Sequence, residues 1–178
     1  MTEFDALIRP DRYPLSSAYD PAWLLELDMG PHPLWLLEDL ARDLDLKPGM
    51  RVLDLDHYLP YLAQFLRPGG RIGMATPGMT REIRELGAIP PHIKDVVGWE
   101  AIAWHTPEWW RFQWEITELV EVISARLQPD GWQDWLLWAR AGAQRQPENR
   151  ALYQPVIDML VADAGEYLGF TLMTARKK

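Results

Sequence analysis

The sequence predicts a single α/β domain over residues 1–178, and three observations lead to that prediction. The mostly apolar run from Met50 to Leu55 follows a helical segment and a Pro-Gly turn, which is the element order of an α/β fold. A second run, from Arg71 to Thr76, follows another helix and another Pro-Gly turn. The chain also has the length of one domain built around one hydrophobic core.

The elements can be placed in order along the chain. Pro10, Pro14 and Pro21 interrupt the first 21 residues, which predicts an arm that lies over the body of the protein. Apolar residues at helical spacing define the helices that follow, and short apolar runs define the strands. We expect helices over residues 22–28, 34–46, 57–66, 132–145 and 148–164, strands over 50–55, 71–76, 119–127 and 167–175, and a helical insertion over 79–118. Within the insertion, Thr106 can cap a helix that begins at Pro107.

The composition excludes several classes of function. A net charge of -8 without a run of Lys or Arg argues against nucleic acid or an anionic membrane as the main partner. The absence of Cys removes disulfides, thiolate metal sites and cysteine nucleophiles. The histidines, His32, His57, His92 and His105, lack metal-ligand spacing, so we expect no metal. We see no secretory signal and no apolar stretch of about 18 residues, which predicts a cytoplasmic protein.

Tryptophan is unusually frequent in this chain. It occurs 10 times, and eight of these residues lie between Trp99 and Trp138. Such rings either fill the core of a small helical layer or line a pocket for an apolar or aromatic ligand. Both interpretations stay open from the sequence.

Three segments together resemble the class I S-adenosylmethionine-dependent methyltransferases, in particular the small-molecule branch that includes cyclopropane-fatty-acid-synthase-like members. The run Lys47-Pro48-Gly49-Met50-Arg51-Val52-Leu53-Asp54-Leu55 looks like the turn and first strand of that fold. The run Phe65-Leu66-Arg67-Pro68-Gly69-Gly70-Arg71-Ile72 resembles the turn into the family's fifth strand. The closing strands, 119–127 and 167–175, are placed as the family places its last two. The alternative is that these segments are generic parts of an α/β fold.

The resemblance has a gap after the first strand. In the family that strand runs into a glycine-rich turn, where the backbone approaches the cofactor closely. Here Asp56 stands at the position of the first glycine, and His57 to Tyr61 already resemble the helix before the fifth strand. The family's second to fourth strands, and the acidic residue that binds the ribose, have no counterpart.

The resemblance therefore implies a shortened Rossmann-like sheet of about four strands with a Trp-rich helical insertion. Its strands would follow the order 50–55, 71–76, 167–175 and 119–127, with the last strand of the chain antiparallel and the others parallel or mixed. This order exposes one edge of the first strand. A homodimer is one way to cover that edge, and coverage by a helix is another.

On the cofactor side, the resemblance points to three residues. Asp54 matches the family's acidic residue at the end of the first strand, and Gly30 and Tyr19 lie in the region that folds over the cofactor. The implied cofactor is S-adenosylmethionine, although the chain lacks the glycine turn. Each residue also has a structural interpretation: Asp54 can cap the following helix, as Asp56 can, and Gly30 can simply form a turn.

On the substrate side, the family commonly builds a cover between its fifth and sixth strands. His105 is the candidate general base there, because histidine titrates near neutrality, although a histidine beside aromatic rings is also often just packed or solvated. The candidate substrate-binding residues are Trp104, Trp109, Trp110 and Trp114.

The resemblance implies methyl transfer to a small apolar or aromatic acceptor, which requires mainly positioning and exclusion of water. The alternative is an internally deleted, non-catalytic relative that acts as a binding or oligomerisation module without the cofactor. A third interpretation is that the Trp-rich layer binds an apolar ligand by itself.

Overall fold

The computed structural model of the protein describes residues 3–26, 32–47 and 59–178. These residues form a mixed α/β fold with eight α-helices and a three-stranded sheet. In chain order the elements are α1 (Pro21–Glu26), α2 (Pro33–Leu44), α3 (Leu59–Phe65), β1 (Arg71–Met79), α4 (Ile83–Leu86), α5 (Pro91–Val97), α6 (Pro107–Glu115), β2 (Val120–Leu127), α7 (Gly131–Arg145), α8 (Arg150–Asp163) and β3 (Leu168–Lys177). Short 3-10 turns cover Asp5–Leu7, Ser16–Ala18, Gly98–Ala103 and Pro147–Asn149.

The sheet has the order β1-β3-β2, and β3 is antiparallel to both neighbours. The three strands therefore lie in the relative order and direction predicted for them. The predicted strand 50–55 lies outside the described residues. Every pairing between the described strands is antiparallel, so they do not contain the parallel pairing expected of a Rossmann-like sheet.

The prediction that β1 ends at Thr76 is wrong, because the strand continues to Met79. The Met79 N–H points away from β3 and donates to the His105 carbonyl oxygen at 3.3 Å. Backbone direction alternates along a strand, so the nitrogen of Pro77 lies on that same edge, where it breaks no bond to β3. Proline is therefore compatible with this strand, and the Pro-Gly pair does not end it.

The last strand also extends beyond its predicted end at Ala175. The Lys177 N–H donates to Gly70 O at 2.8 Å and the Gly69 N–H donates to Lys177 O at 3.0 Å, so the turn before β1 continues the ladder. The Lys177 ammonium group donates to Ala63 O and Leu66 O, at 2.6 and 2.7 Å, which caps the last turn of α3.

Replacing Lys177 with Met should loosen α3 without unfolding the protein. The carbonyl groups at the end of the helix lose a charged donor, and we expect a loss of about 1–2 kcal/mol in the free energy of unfolding. Hydrogen exchange of the α3 amides should quicken more than exchange in β3. Lys178→Met is the matched control, because the Lys178 side chain is exposed, and it should leave α3 unchanged.

Helices cover both faces of the sheet. On one face, Met173 and Ala175 of β3 pack against Trp114 of α6 and Leu59 of α3. On the opposite face, Phe170 contacts the Trp135 ring of α7 at a centroid distance of 5.2 Å. Side chains alternate across a strand, which is why β3 is buried on both faces over most of its length.

The described part of the N-terminal arm, residues 3–21, packs on the body of the protein. Leu7 and Tyr13 of the arm are buried against Trp35 of α2 and Trp138 of α7, in one apolar cluster. The helix predicted over 34–46 ends earlier, at Leu44, because Asp45 adopts a left-handed backbone conformation with φ of 47°. No α-helix of the described residues is long and apolar enough to cross a membrane.

Candidate functional site

A histidine and a glutamate meet where the chain leaves β1. The strand ends at Met79, Glu82 follows in the turn, and the chain returns at His105, which forms a parallel bridge with Gly78. Nδ1 of His105 lies 3.0 Å from Oε2 of Glu82. The contact between Glu82 and His105 therefore joins the two ends of the helical segment that lies between them.

The carboxylate of Glu82 is buried and fully engaged. Its Oε1 accepts hydrogen bonds from the Thr106 N–H at 2.9 Å and the Thr106 hydroxyl at 2.8 Å, while Oε2 faces His105. Burial acts to raise the pKa of Glu82, but the hydrogen bonds from His105 and Thr106 together outweigh it and lower that pKa. Glu82 is therefore an ionised carboxylate at neutral pH.

The ionised Glu82 defines the tautomer of a neutral His105. Because a carboxylate only accepts hydrogen bonds, we assign the ring proton to Nδ1, which leaves Nε2 as an unprotonated acceptor. No described residue forms a hydrogen bond to Nε2, and the His105 side chain is 20% exposed. This arrangement of base and orienting carboxylate is the one that acid-base catalysis uses.

Two tryptophans of α6 hold the imidazole ring in place. The rings of His105 and Trp109 are stacked, with centroids 3.5 Å apart and planes 8° apart, and Trp110 meets His105 edge-on at 5.9 Å. The cap predicted at Thr106 is confirmed, since its hydroxyl accepts a hydrogen bond from the Trp109 N–H at 3.2 Å. We call Glu82, His105, Thr106 and Trp109 the dyad site.

The other two tryptophans of the predicted substrate group lie elsewhere. Trp104 is 6% exposed and packs with Ile93 and Met159 in one core cluster, whereas Trp114 is equally buried in the cluster under β2. The predicted group of four is therefore divided: Trp109 and Trp110 lie beside His105, Trp110 also packs against the cluster that contains Trp114, and Trp104 lies in a different cluster.

The residues predicted for the cofactor side are not assembled in the described part of the chain. Tyr19 is 54% exposed and stacks on Trp23 at 6.3 Å. Gly30 and Asp54 lie outside the described residues. An open groove of about 480 Å³ is lined by Phe4, Asp20, Ala22, Gln144 and Arg145, and none of these residues belongs to the dyad site.

A second polar cluster fastens the arm to the body. The Tyr13 hydroxyl lies 2.9 Å from Asp134 and 3.2 Å from Asp39, and Gln128 donates to it at 3.2 Å. Burial and the two carboxylates raise the pKa of Tyr13, so the phenol stays protonated. Burial is also the largest influence on Asp134, whose pKa is raised although Arg12, Tyr13 and Arg9 oppose the effect. We call these groups the arm cluster.

His32 adjoins the arm cluster but is held by aromatic rings. It is 3% exposed, stacks on Trp35 at 4.1 Å with the planes 1° apart, and meets Trp138 edge-on at 4.9 Å. Its Nδ1 accepts the Trp35 N–H at 3.4 Å and so caps α2. Burial lowers the pKa of His32 to about 3, although its own backbone acts in the opposite direction. The residue is therefore neutral at physiological pH.

Sequence reasoning found His105 but missed Glu82. The two residues are 23 positions apart, and no spacing pattern relates them, since Glu82 lies in a turn among other charged residues. Among the described residues no group of three or more His, Asp or Glu side chains could hold a metal ion.

Comparisons of this chain with protein-family models, with curated proteins and with solved structures found no match. The dyad site therefore has to be interpreted from its own chemistry.

Proposed function

We propose that the protein is a shortened relative of the class I S-adenosylmethionine-dependent methyltransferases, and that its dyad site binds a small aromatic acceptor with an ionisable O–H or N–H group. The observation that carries the proposal is the Glu82–His105 pair, with the imidazole stacked on Trp109. The strand order supports the ancestry, because the last strand lies antiparallel between the two others, as the resemblance implies.

The proposed chemistry is removal of the acceptor's proton by Nε2 of His105. The acceptor's O–H or N–H donates to Nε2, and the proton moves to the ring as the acceptor becomes an anion. The imidazolium that forms is stabilised by the Glu82 carboxylate at 3.0 Å and by the face of Trp109 at 3.5 Å. An aromatic acceptor is favoured because Trp109 and Trp110 provide aromatic surface beside the base.

S-adenosylmethionine enters the proposal through the resemblance alone. Of the residues that the resemblance assigns to the cofactor, the structure describes Tyr19 alone, which is 54% exposed. The alternative is a non-catalytic relative that binds the aromatic ligand without the cofactor. No step of the proposed chemistry involves the cofactor.

Two titrations separate these functions. Calorimetry with S-adenosylhomocysteine at about millimolar concentration should give binding heat if the methyltransferase function is retained, and none if the protein is a binding module. An NMR titration with 4-methylphenol should shift the His105 ring and Trp109 indole resonances in both cases. If 4-methylphenol shifts neither set of resonances, the dyad site does not bind such acceptors and the proposal is wrong.

Replacing Glu82 with Gln should weaken binding of 4-methylphenol by about tenfold or more. The neutral amide of Gln can donate a hydrogen bond to Nδ1, which would move the ring proton to Nε2. A protonated Nε2 can no longer accept a hydrogen bond from the O–H group of 4-methylphenol. His92→Asn is a matched control, because His92 makes a similar 3.0 Å contact with Asp163 away from the dyad site. The control should leave 4-methylphenol affinity unchanged, and equal losses in both variants would contradict the assignment.

A further inference from the structure

The peptide group that joins His105 to Thr106 is held on both sides. Its N–H donates to Glu82 Oε1 at 2.9 Å. Its carbonyl oxygen accepts the Met79 N–H at 3.3 Å and the Thr171 hydroxyl at 3.1 Å. The planar His105–Thr106 peptide therefore connects the sheet to the Glu82 carboxylate, which also orients the His105 ring.

Thr171 supplies the side-chain hydroxyl that donates to the His105 carbonyl oxygen. It lies in β3, the middle strand, opposite Thr76 of β1, and it is completely buried. Threonine is not required at this position to fill the core, since an apolar side chain of the same shape would pack equally well. The hydroxyl is instead directed to the carbonyl of the residue that carries the proposed base.

Gly78 permits this contact. A β-carbon at Gly78 would lie 2.2 Å from the Thr171 hydroxyl oxygen and 3.0 Å from the His105 carbonyl oxygen. Any side chain at position 78 would push the Thr171 hydroxyl and the His105 carbonyl away from β1, so their close approach depends on glycine. The His105 backbone can therefore lie against β1 at Gly78 because glycine has no β-carbon.

We infer that Thr171 is a positioning residue for His105, acting through the His105–Thr106 peptide. The inference rests on the proposed function of the dyad site. Without the hydroxyl, the carbonyl keeps only the 3.3 Å bond from Met79, and the peptide is free to tilt. Tilting moves the Thr106 N–H and the His105 ring together relative to Glu82, because the peptide contains the one and is attached to the other.

The test compares Thr171→Val with Thr171→Ser and with Thr174→Val. Valine keeps the shape of threonine and removes the hydroxyl, while serine keeps the hydroxyl. Thr174 is the control because it is equally buried in β3, and its Oγ1 has no partner among the described residues. A purely structural effect of valine in β3 should therefore appear in Thr174→Val as well.

The readout is the ring proton of His105 in the ligand-free protein, observed by NMR after imidazole labelling. In the parent protein the Nδ1 proton should be protected by Glu82. In Thr171→Val its exchange should be at least about tenfold faster, whereas Thr171→Ser and Thr174→Val should match the parent. The rate at which diethyl pyrocarbonate modifies His105, followed by mass spectrometry, should change in the same variant only.

Two outcomes would overturn the inference: parent-like His105 exchange in Thr171→Val, or an equal change in Thr174→Val. If Thr171→Val does not fold, Thr171→Ala removes the hydroxyl without adding bulk and is measured in the same way. Because the readout needs no ligand, it remains valid whether or not 4-methylphenol binds. A failure of the proposed function is thus distinguishable from a failure of the positioning role.

Discussion

Acidification from about pH 7.5 to about pH 4.5 is expected to lower the free energy of unfolding by about 3 kcal/mol through His32 alone. The pKa of His32 is about 3 in the folded protein and 6.5 when unperturbed. Between these values the unfolded chain binds a proton that the folded protein does not. Stability is therefore complete above about pH 6.5 and falls by about 1.4 kcal/mol for each unit below it.

Glu38 and Asp134 also change the pH dependence of the free energy of unfolding, in opposite directions. Burial acts to raise the pKa of Glu38, but hydrogen bonds from Ser16 and Leu15 of the arm outweigh it and lower that pKa, which adds a further loss of stability below its ordinary value of 4.5. Asp134 borders the same small cavity as His32, and its raised pKa acts in the opposite direction, because the folded state takes up that proton first. Because Glu38 acts below about pH 4.5, the loss of stability caused by His32 is best measured between about pH 6.5 and about pH 5.

Urea unfolding at a series of pH values measures the effect. His32→Asn should remove the slope below pH 6.5, because asparagine can cap α2 without titrating. This variant should be less stable than the parent at high pH, since it loses the stack on Trp35. An unchanged slope in His32→Asn would show that other groups cause the acid sensitivity.

Replacing Asp134 with Asn is expected to cost about 2 kcal/mol of stability and to release the arm. Asp134 is 4% exposed, lies 2.5 Å from Arg9 and 3.4 Å from Arg12, and accepts the Tyr13 hydroxyl. Arg9 and Arg12 are 36% and 25% exposed, so water compensates part of their lost pairing. Most of the cost falls on the completely buried Tyr13 hydroxyl, which loses its charged acceptor. The amide also presents a donor to Tyr13 and the two guanidinium groups.

Asp130→Asn is the matched control for the arm cluster. Asp130 precedes α7 and pairs with Arg12 at 3.2 Å, but its side chain is 62% exposed. Water screens that pair, so its loss should cost less than about 1 kcal/mol. Trypsin should cut after Arg12 much faster in Asp134→Asn than in Asp130→Asn or the parent, whereas the Arg9–Pro10 bond resists trypsin in all three proteins. Equal cutting in all three proteins would mean that the arm is held by its apolar contacts instead.

The sequence predicted the elements of this fold better than the arrangement of its site. Thr106 and Pro107 mark the start of α6 by local chemistry, and the closing helices and strands follow from short-range periodicity. The end of β1 could not be predicted in this way. Proline and glycine usually end strands. Here the nitrogen of Pro77 lies on the edge of β1 that faces away from β3, so the pairing with β3 loses no hydrogen bond. Gly78 is required because His105 and Thr171 approach the strand closely there.

The candidate site shows the same division. The sequence singled out His105 and its neighbouring tryptophans, since those residues are adjacent in the chain. It did not indicate Glu82, nor the sorting of Trp104 and Trp114 into separate core clusters, because these depend on contacts between distant segments.

Local residue patterns specify an α/β chain with an N-terminal arm, a helical insertion and two closing helices before the last strand. These features depend on the spacing of apolar residues and on Pro and Gly, which act over a few residues. The contact between Glu82 and His105, and the contact between Asp134 and Tyr13 across 121 positions of the chain, follow instead from the packing of distant segments. Hydrogen bonds and burial depend on proximity in space, and no local pattern encodes which distant groups the packed core brings together.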